Sequence, residues 1–94
     1  MSTKCSNTPV CWSCSAPVFI EFVHGTDVSG FTHAPGLIYG NNVLQIKRGR
    51  IQQGYKTDYI SVLPASGTPF PINHRDIVKV TDAYHSTIWE NSAC

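Results

Sequence analysis

Apolar positions along this chain recur at every second residue in short bursts, with turn-forming residues between the bursts. "VFIEFVH", residues 18–24, opens the pattern. Val18, Ile20 and Phe22 fall on one face of an extended strand, and Phe19, Glu21 and Val23 fall on the other. "GTDVSG" then turns the chain, and "FTHAPG" breaks it again because Pro35-Gly36 does not fit a central strand. "LIYG" reads as a short strand closed by the turn signal Gly40-Asn41-Asn42. "VLQIKRGRI" alternates with Leu44 and Ile46 inward and Gln45 and Lys47 outward, and Gly49 marks a bend or bulge. In "YKTDYISVL" the expected core pair is Ile60 and Val62. "PASGTPFP" carries three prolines in eight residues and reads as loop. "NHRD" is a tight turn before a last strand, "IVKVTDA", and residues 85–94 form a terminal turn or helix whose Trp89 packs on the body.

Five or six short strands with no ten-residue helical pattern predict an all-β fold, a small barrel or roll. The strand pattern ending in a tight turn and "IVKV" resembles the small SH3-like and Sm-like barrels. His74 shortly before "DIVKV" is similar to the histidine that precedes an apolar β run in the bacterial RNA chaperone of the Sm class. That family carries a lysine where this chain has Asn73, and its N-terminal helix has no counterpart here, so the resemblance is one of architecture. The expected organisation is a single domain over residues 1–94: a Cys-rich cap at 1–17, the barrel at 18–84 and a tail at 85–94.

Composition adjusts this picture in two respects. Charged residues are 14% of the 94, well below the usual figure of about 25%, and Ser, Thr, Asn and Gly take their place. Such a surface suits a protein held in contact with others. The net charge of +1 gives no strong overall field toward nucleic acid or an anionic membrane. No apolar run approaches membrane-spanning length, and the first seventeen residues are polar with no signal-peptide core. The expected setting is cytoplasmic, or a virion if this is a viral assembly protein.

Three cysteines crowd "KCSNTPVCWSCSAP", and the fourth, Cys94, ends the chain. Cys11 and Cys14 have the C-x2-C spacing at which one tight turn aims two thiolates at the same ion. Cys5 is near enough to add a third, and Cys94 is the first choice for a fourth, with His24, His33 and His85 as alternatives. In a reducing compartment this spacing favours a structural zinc ion, Zn2+, over a disulfide, with free thiols as the remaining alternative.

The charge distribution is uneven. Lys47, Arg48, Arg50 and Lys56 lie within ten positions, interleaved with Tyr55 and Tyr59. Cations suit phosphates and aromatic faces suit unstacked bases, so this stretch is a candidate edge for nucleic acid or an acidic protein. A solvated hairpin tip is the plainer reading of the same residues. His74 and Asp76 are spaced as a dyad within one turn, yet no nucleophile motif, phosphate-cradling glycine loop or paired carboxylates accompany them. The expectation is therefore no enzyme and no small-molecule substrate. Both faces of the first strand are apolar, which marks Trp12, Phe19 and Val23 as a candidate interface, covered by the N-terminal segment or by another subunit in a homo-oligomer or other protein complex. Two functions follow: a binding module acting through the basic edge, or a structural component of a virus or phage particle.

Overall fold

The computed structural model describes residues 12–30, 35–54 and 58–91. Nine strands occupy them: β1 Trp12–Ser15, β2 Val18–Phe22, β3 Leu37–Gly40, β4 Val43–Ile46, β5 Gly49–Gln53, β6 Tyr59–Pro64, β7 Phe70–Asn73, β8 Ile77–Thr81 and β9 Thr87–Glu90. The helical content described is one 3-10 turn, His74–Asp76. The all-β expectation holds. The described strands form two antiparallel sheets, in the orders β1-β5-β6-β7 and β3-β4-β2-β8-β9, and no described pairing joins their edges into a closed barrel.

The alternation that sequence reveals is the alternation that fills the core. Val18, Ile20 and Phe22 are buried while Phe19 and Glu21 are only partly so. Leu44 and Ile46 from the same sheet meet Ile51, Ile60, Val62 and Ile72 from the other in one apolar cluster. Each such side chain contributes roughly 1.5–3 kcal/mol by leaving water.

Four local expectations are corrected. "VLQIKRGRI" is two strands in different sheets, because the chain leaves the five-stranded sheet at Lys47-Arg48 and enters the four-stranded one at Gly49. "PASGTPFP" is not all loop: Pro64 ends β6, and Phe70-Pro71 begin β7. Proline is tolerated there because β7 is an edge strand, where a missing N–H breaks no interior ladder. Residues 87–90 form the edge strand β9 rather than a terminal turn or helix. Trp12–Ser15, assigned by sequence to a cap, are the edge strand β1. The Asn41-Asn42 turn is as expected: both residues have positive φ, 53° and 64°, the geometry of a two-residue hairpin.

The strand registers define two ends of the molecule. Ile46 lies opposite Val18, Thr81 opposite Phe19 and Arg50 opposite Ser15. The Ala16 N–H donates to the Gly49 carbonyl at 3.0 Å. All of these gather at the Pro17 end. Tyr59 lies opposite Asn73 and Ile77 opposite Phe22, and the His74 N–H donates to the Asp58 carbonyl at 2.9 Å. These make the His74 end.

Candidate functional site

The basic residues divide along this axis. Lys47 and Arg48 form the corner between β4 and β5, where the Lys47 N–H donates to the Gly36 carbonyl at 2.7 Å. Arg50 is one strand pair further on, outward with Ser15 and Leu63 beside it. All three are exposed, and none makes an ion pair among the described residues. Tyr59 is at the other end of the same sheet face, opposite Asn73. Gln53 lies opposite Ile60 and Arg50 opposite Leu63, so Tyr59 and Arg50 are four residues apart along the ladder, about 14 Å. The structure therefore does not place Tyr59 beside the cations. Tyr55 and Lys56 lie outside the described residues.

A different aromatic shares the cations' end. β4 and β8 flank β2 on either side, so the Lys47-Arg48 corner and the turn after Thr81 emerge about 10 Å apart. Tyr84 in that turn is 86% exposed. The Asp82 carboxylate holds the turn by accepting from the Tyr84 N–H at 2.8 Å and the Ser86 N–H at 2.9 Å. His85, at φ 64°, stacks on Phe19 with ring centroids 5.5 Å apart. Sequence reading missed Tyr84. Its signal is the run "TDAYH", a polar turn with one large aromatic that an apolar strand cannot absorb.

The His74 end is built by side chains. Gln53 is buried at the end of β5, and its Nε2 donates to the Gly54 carbonyl at 2.8 Å. That fixes its Oε1 as an acceptor, which the His74 Nε2 engages; the imidazole proton is therefore on Nε2. The His74 ring also packs on Trp89 with centroids 4.5 Å apart. Asn91 Nδ2 bridges the His74 and Ile77 carbonyls at 3.3 and 3.2 Å. Burial lowers the His74 pKa from its ordinary value, with the Asp58 charge acting in the opposite direction. Asp76 is not a hydrogen-bond partner of the His74 ring. It lies along a shallow open groove with Tyr59, Ser61, Phe70, Pro71 and Asn73. His74 thus holds the corner together through Gln53, Trp89 and Asn91, and no described contact pairs its ring with Asp76.

The cysteine segment is described only in part, since Cys5, Cys11 and Cys94 lie outside the described residues, as does His33. Trp12 to Ser15 are extended strand, not the tight turn that C-x2-C spacing suggested. Cys14 lies opposite Ile51 and packs against the core, and its Sγ contacts the Ser15 carbonyl at 3.6 Å. Burial, with the Asp82 charge adding to it, raises the thiol pKa above its ordinary value. Among the described residues no three His, Cys, Asp or Glu side chains converge. His24 is at the His74 end, in the turn after β2, while Cys14 is nearer the Pro17 end.

The candidate interface is also divided. Trp12 faces the core opposite Gln53, so it does not cover the outer face of β2. That face is partly covered by His85 on Phe19. Val23 lies past the end of β2, 41% exposed, and its N–H donates to the Asp76 carbonyl at 2.9 Å. No described helix is long and apolar enough to cross a membrane. Comparison with known proteins finds no matching family model, no matching curated protein and no matching solved structure.

Proposed function

We propose that this chain is a non-enzymatic β module that binds a polyanion, nucleic acid or an acidic protein, through its Pro17 end. One observation carries the reading: Lys47, Arg48 and Arg50 are exposed and unpaired among the described residues, at the end that also presents Tyr84. The fold leaves a single carboxylate in that turn, Asp82, and it is already engaged by backbone N–H groups. Three exposed cations release counterions on binding a polyanion, and an exposed ring offers a base a stacking surface.

Anisotropy titrations with a short mixed-sequence single-stranded oligonucleotide test this. The expected log–log salt slope is about −2, from roughly 0.7 per phosphate neutralised. Binding disappears in Lys47→Ala/Arg48→Ala/Arg50→Ala. A flat salt response, or full binding by the triple variant, overturns the proposal. Binding of polyglutamate without the oligonucleotide identifies the acidic-protein form of it.

A second reading, a structural part of an assembly such as a virus or phage particle, is supported by Ile38. It is 51% exposed and lies on β3, a sheet edge whose outer side no described strand pairs. Self-association that ignores salt and is lost in Ile38→Lys distinguishes it. A cysteine-held structural zinc is carried by cysteine spacing alone; the metal content of protein purified without added zinc decides it.

A further inference from the structure

The geometry points to a second binding site, independent of the Pro17 end: the groove along the outward side of β6 and β7 receives the guanidinium or ammonium group of a basic side chain on a partner polypeptide. Its lining is electron-rich. Tyr59, 43% exposed, stands opposite Asn73, and Ser61 stands opposite Pro71 in the next row. Pro69 and Pro71 bring carbonyls but no N–H, and among the described residues no lysine, arginine or histidine lines the groove. The Asn73 Oδ1 is already used by the Arg75 N–H at 3.0 Å. At the His74 end of the groove the Asp76 carboxylate has neither hydrogen bond nor ion pair among the described residues. Asp58, adjacent to Tyr59, adds a negative potential that reaches His74.

An anion is repelled by this lining, and a neutral ligand leaves the carboxylate without a counter-charge. A cation meets the carboxylate and can also lie over an aromatic face. The occupant is a chain rather than a free amine because of the groove's form. It is open along its length, and it extends from the Tyr59–Asn73 row to the Val62–Phe70 row, three residues or about 10 Å. That matches an extended tripeptide and encloses no small molecule.

The test is an amide-shift NMR titration of the full chain with acetyl-Gly-Arg-Gly-amide, acetyl-Gly-Gln-Gly-amide, arginine amide and methyl β-glucoside. The arginine peptide is expected to shift the Tyr59, Ser61 and Asn73 amides saturably, and the glutamine peptide to bind up to about fivefold more weakly, as loss of one exposed charge pair with Asp76 implies. Asp76→Asn removes that preference, and Tyr59→Leu weakens both peptides. Equal binding of the glutamine peptide overturns the site, as does glucoside saturating the same amides without the arginine peptide, or a preference that survives Asp76→Asn. Arginine amide binding as tightly as the peptide overturns the polypeptide occupant. Oligonucleotide binding by Asp76→Asn reports on the Pro17 end separately, so failure of one site is distinguishable from failure of the other.

Discussion

Two of the three corners that carry the chain between the sheets do so by opposite means. At Lys47–Gly49 the backbone makes the passage, and the side chains are left free. Gly49 has φ 115°, and a Cβ there would lie 2.9 Å from the Ala65 nitrogen and 3.0 Å from the Pro64 Cα. At His74–Asp76 the side chains make the passage: Gln53, Trp89 and Asn91 each hold part of the 3-10 turn. The difference separates residues available to a partner from residues already used. A corner closed by a glycine can display its arginines outward, whereas a corner closed by a histidine has used that histidine's chemistry for its own stability.

The comparison breaks most severely at Gly49. Gly49→Ala combines a left-handed backbone with a backbone clash on β6, and is expected to cost about 3 kcal/mol or more, much of the 5–15 kcal/mol typical of a domain. Gly25 is the control. It also has positive φ, 92°, but nothing lies within 4 Å of an added Cβ, so Gly25→Ala is expected to cost about 1 kcal/mol. Urea unfolding midpoints compare the two. Equal losses would show that conformational strain alone, and not the passage between sheets, sets the cost at Gly49.

The His74 corner is expected to fail more gently and with a pH signature. Gln53→Ala removes the acceptor for the His74 Nε2–H inside the fold, a loss of about 2 kcal/mol. Because burial sets the folded His74 pKa below its ordinary 6.5, the unfolded chain binds the proton first as pH falls. The His74 contribution is therefore complete above pH 6.5 and is lost as pH falls through the depressed folded value. His74→Phe retains a ring against Trp89 and flattens that part of the stability profile. A slope unchanged in His74→Phe would assign the acid sensitivity to the carboxylates instead.

What was legible in the sequence follows the same division. Alternation exposed the buried faces of β2, β4 and β6 because burial of one face is a local property of every second residue. Gly49 was legible as a bend, since only a backbone problem requires glycine there. That the bend divides two sheets was not legible, because the inward phase shifts from even positions (Leu44, Ile46) to odd ones (from Ile51) across Gly49, as a bulge within one strand would also do. Continuing that alternation two residues further puts Gln53 inward with Ile51, so its burial was within reach once β5 was extended. Its partner was not, because His74 lies 21 residues away and meets it only through sheet packing. The basic cluster misled for a geometric reason. Neighbours in sequence on either side of a five-residue strand emerge at opposite ends of it, so Tyr59 is far from Arg50 while Tyr84, distant in sequence, is near Lys47.

The smallest effect on stability sharpens the comparison most, because each corner displays one exposed arginine. Arg48→Ala and Arg75→Ala are each expected to change stability by less than about 0.5 kcal/mol, as surface truncations without partners do. Their effects on polyanion binding should differ. Arg48 shares the Pro17 end with Lys47 and Arg50, and the Asp82 carboxylate in the neighbouring turn is engaged by backbone N–H groups, so loss of Arg48 reduces the salt slope by about 0.7, one phosphate on a single strand. Arg75 shares the His74 end with Asp58 and Asp76, where an incoming phosphate meets repulsion that one guanidinium only offsets. Arg75→Ala should leave the slope unchanged. If both substitutions reduce it equally, the polyanion follows the whole surface, and the distinction between a displaying corner and a committed one does not extend from structure to binding.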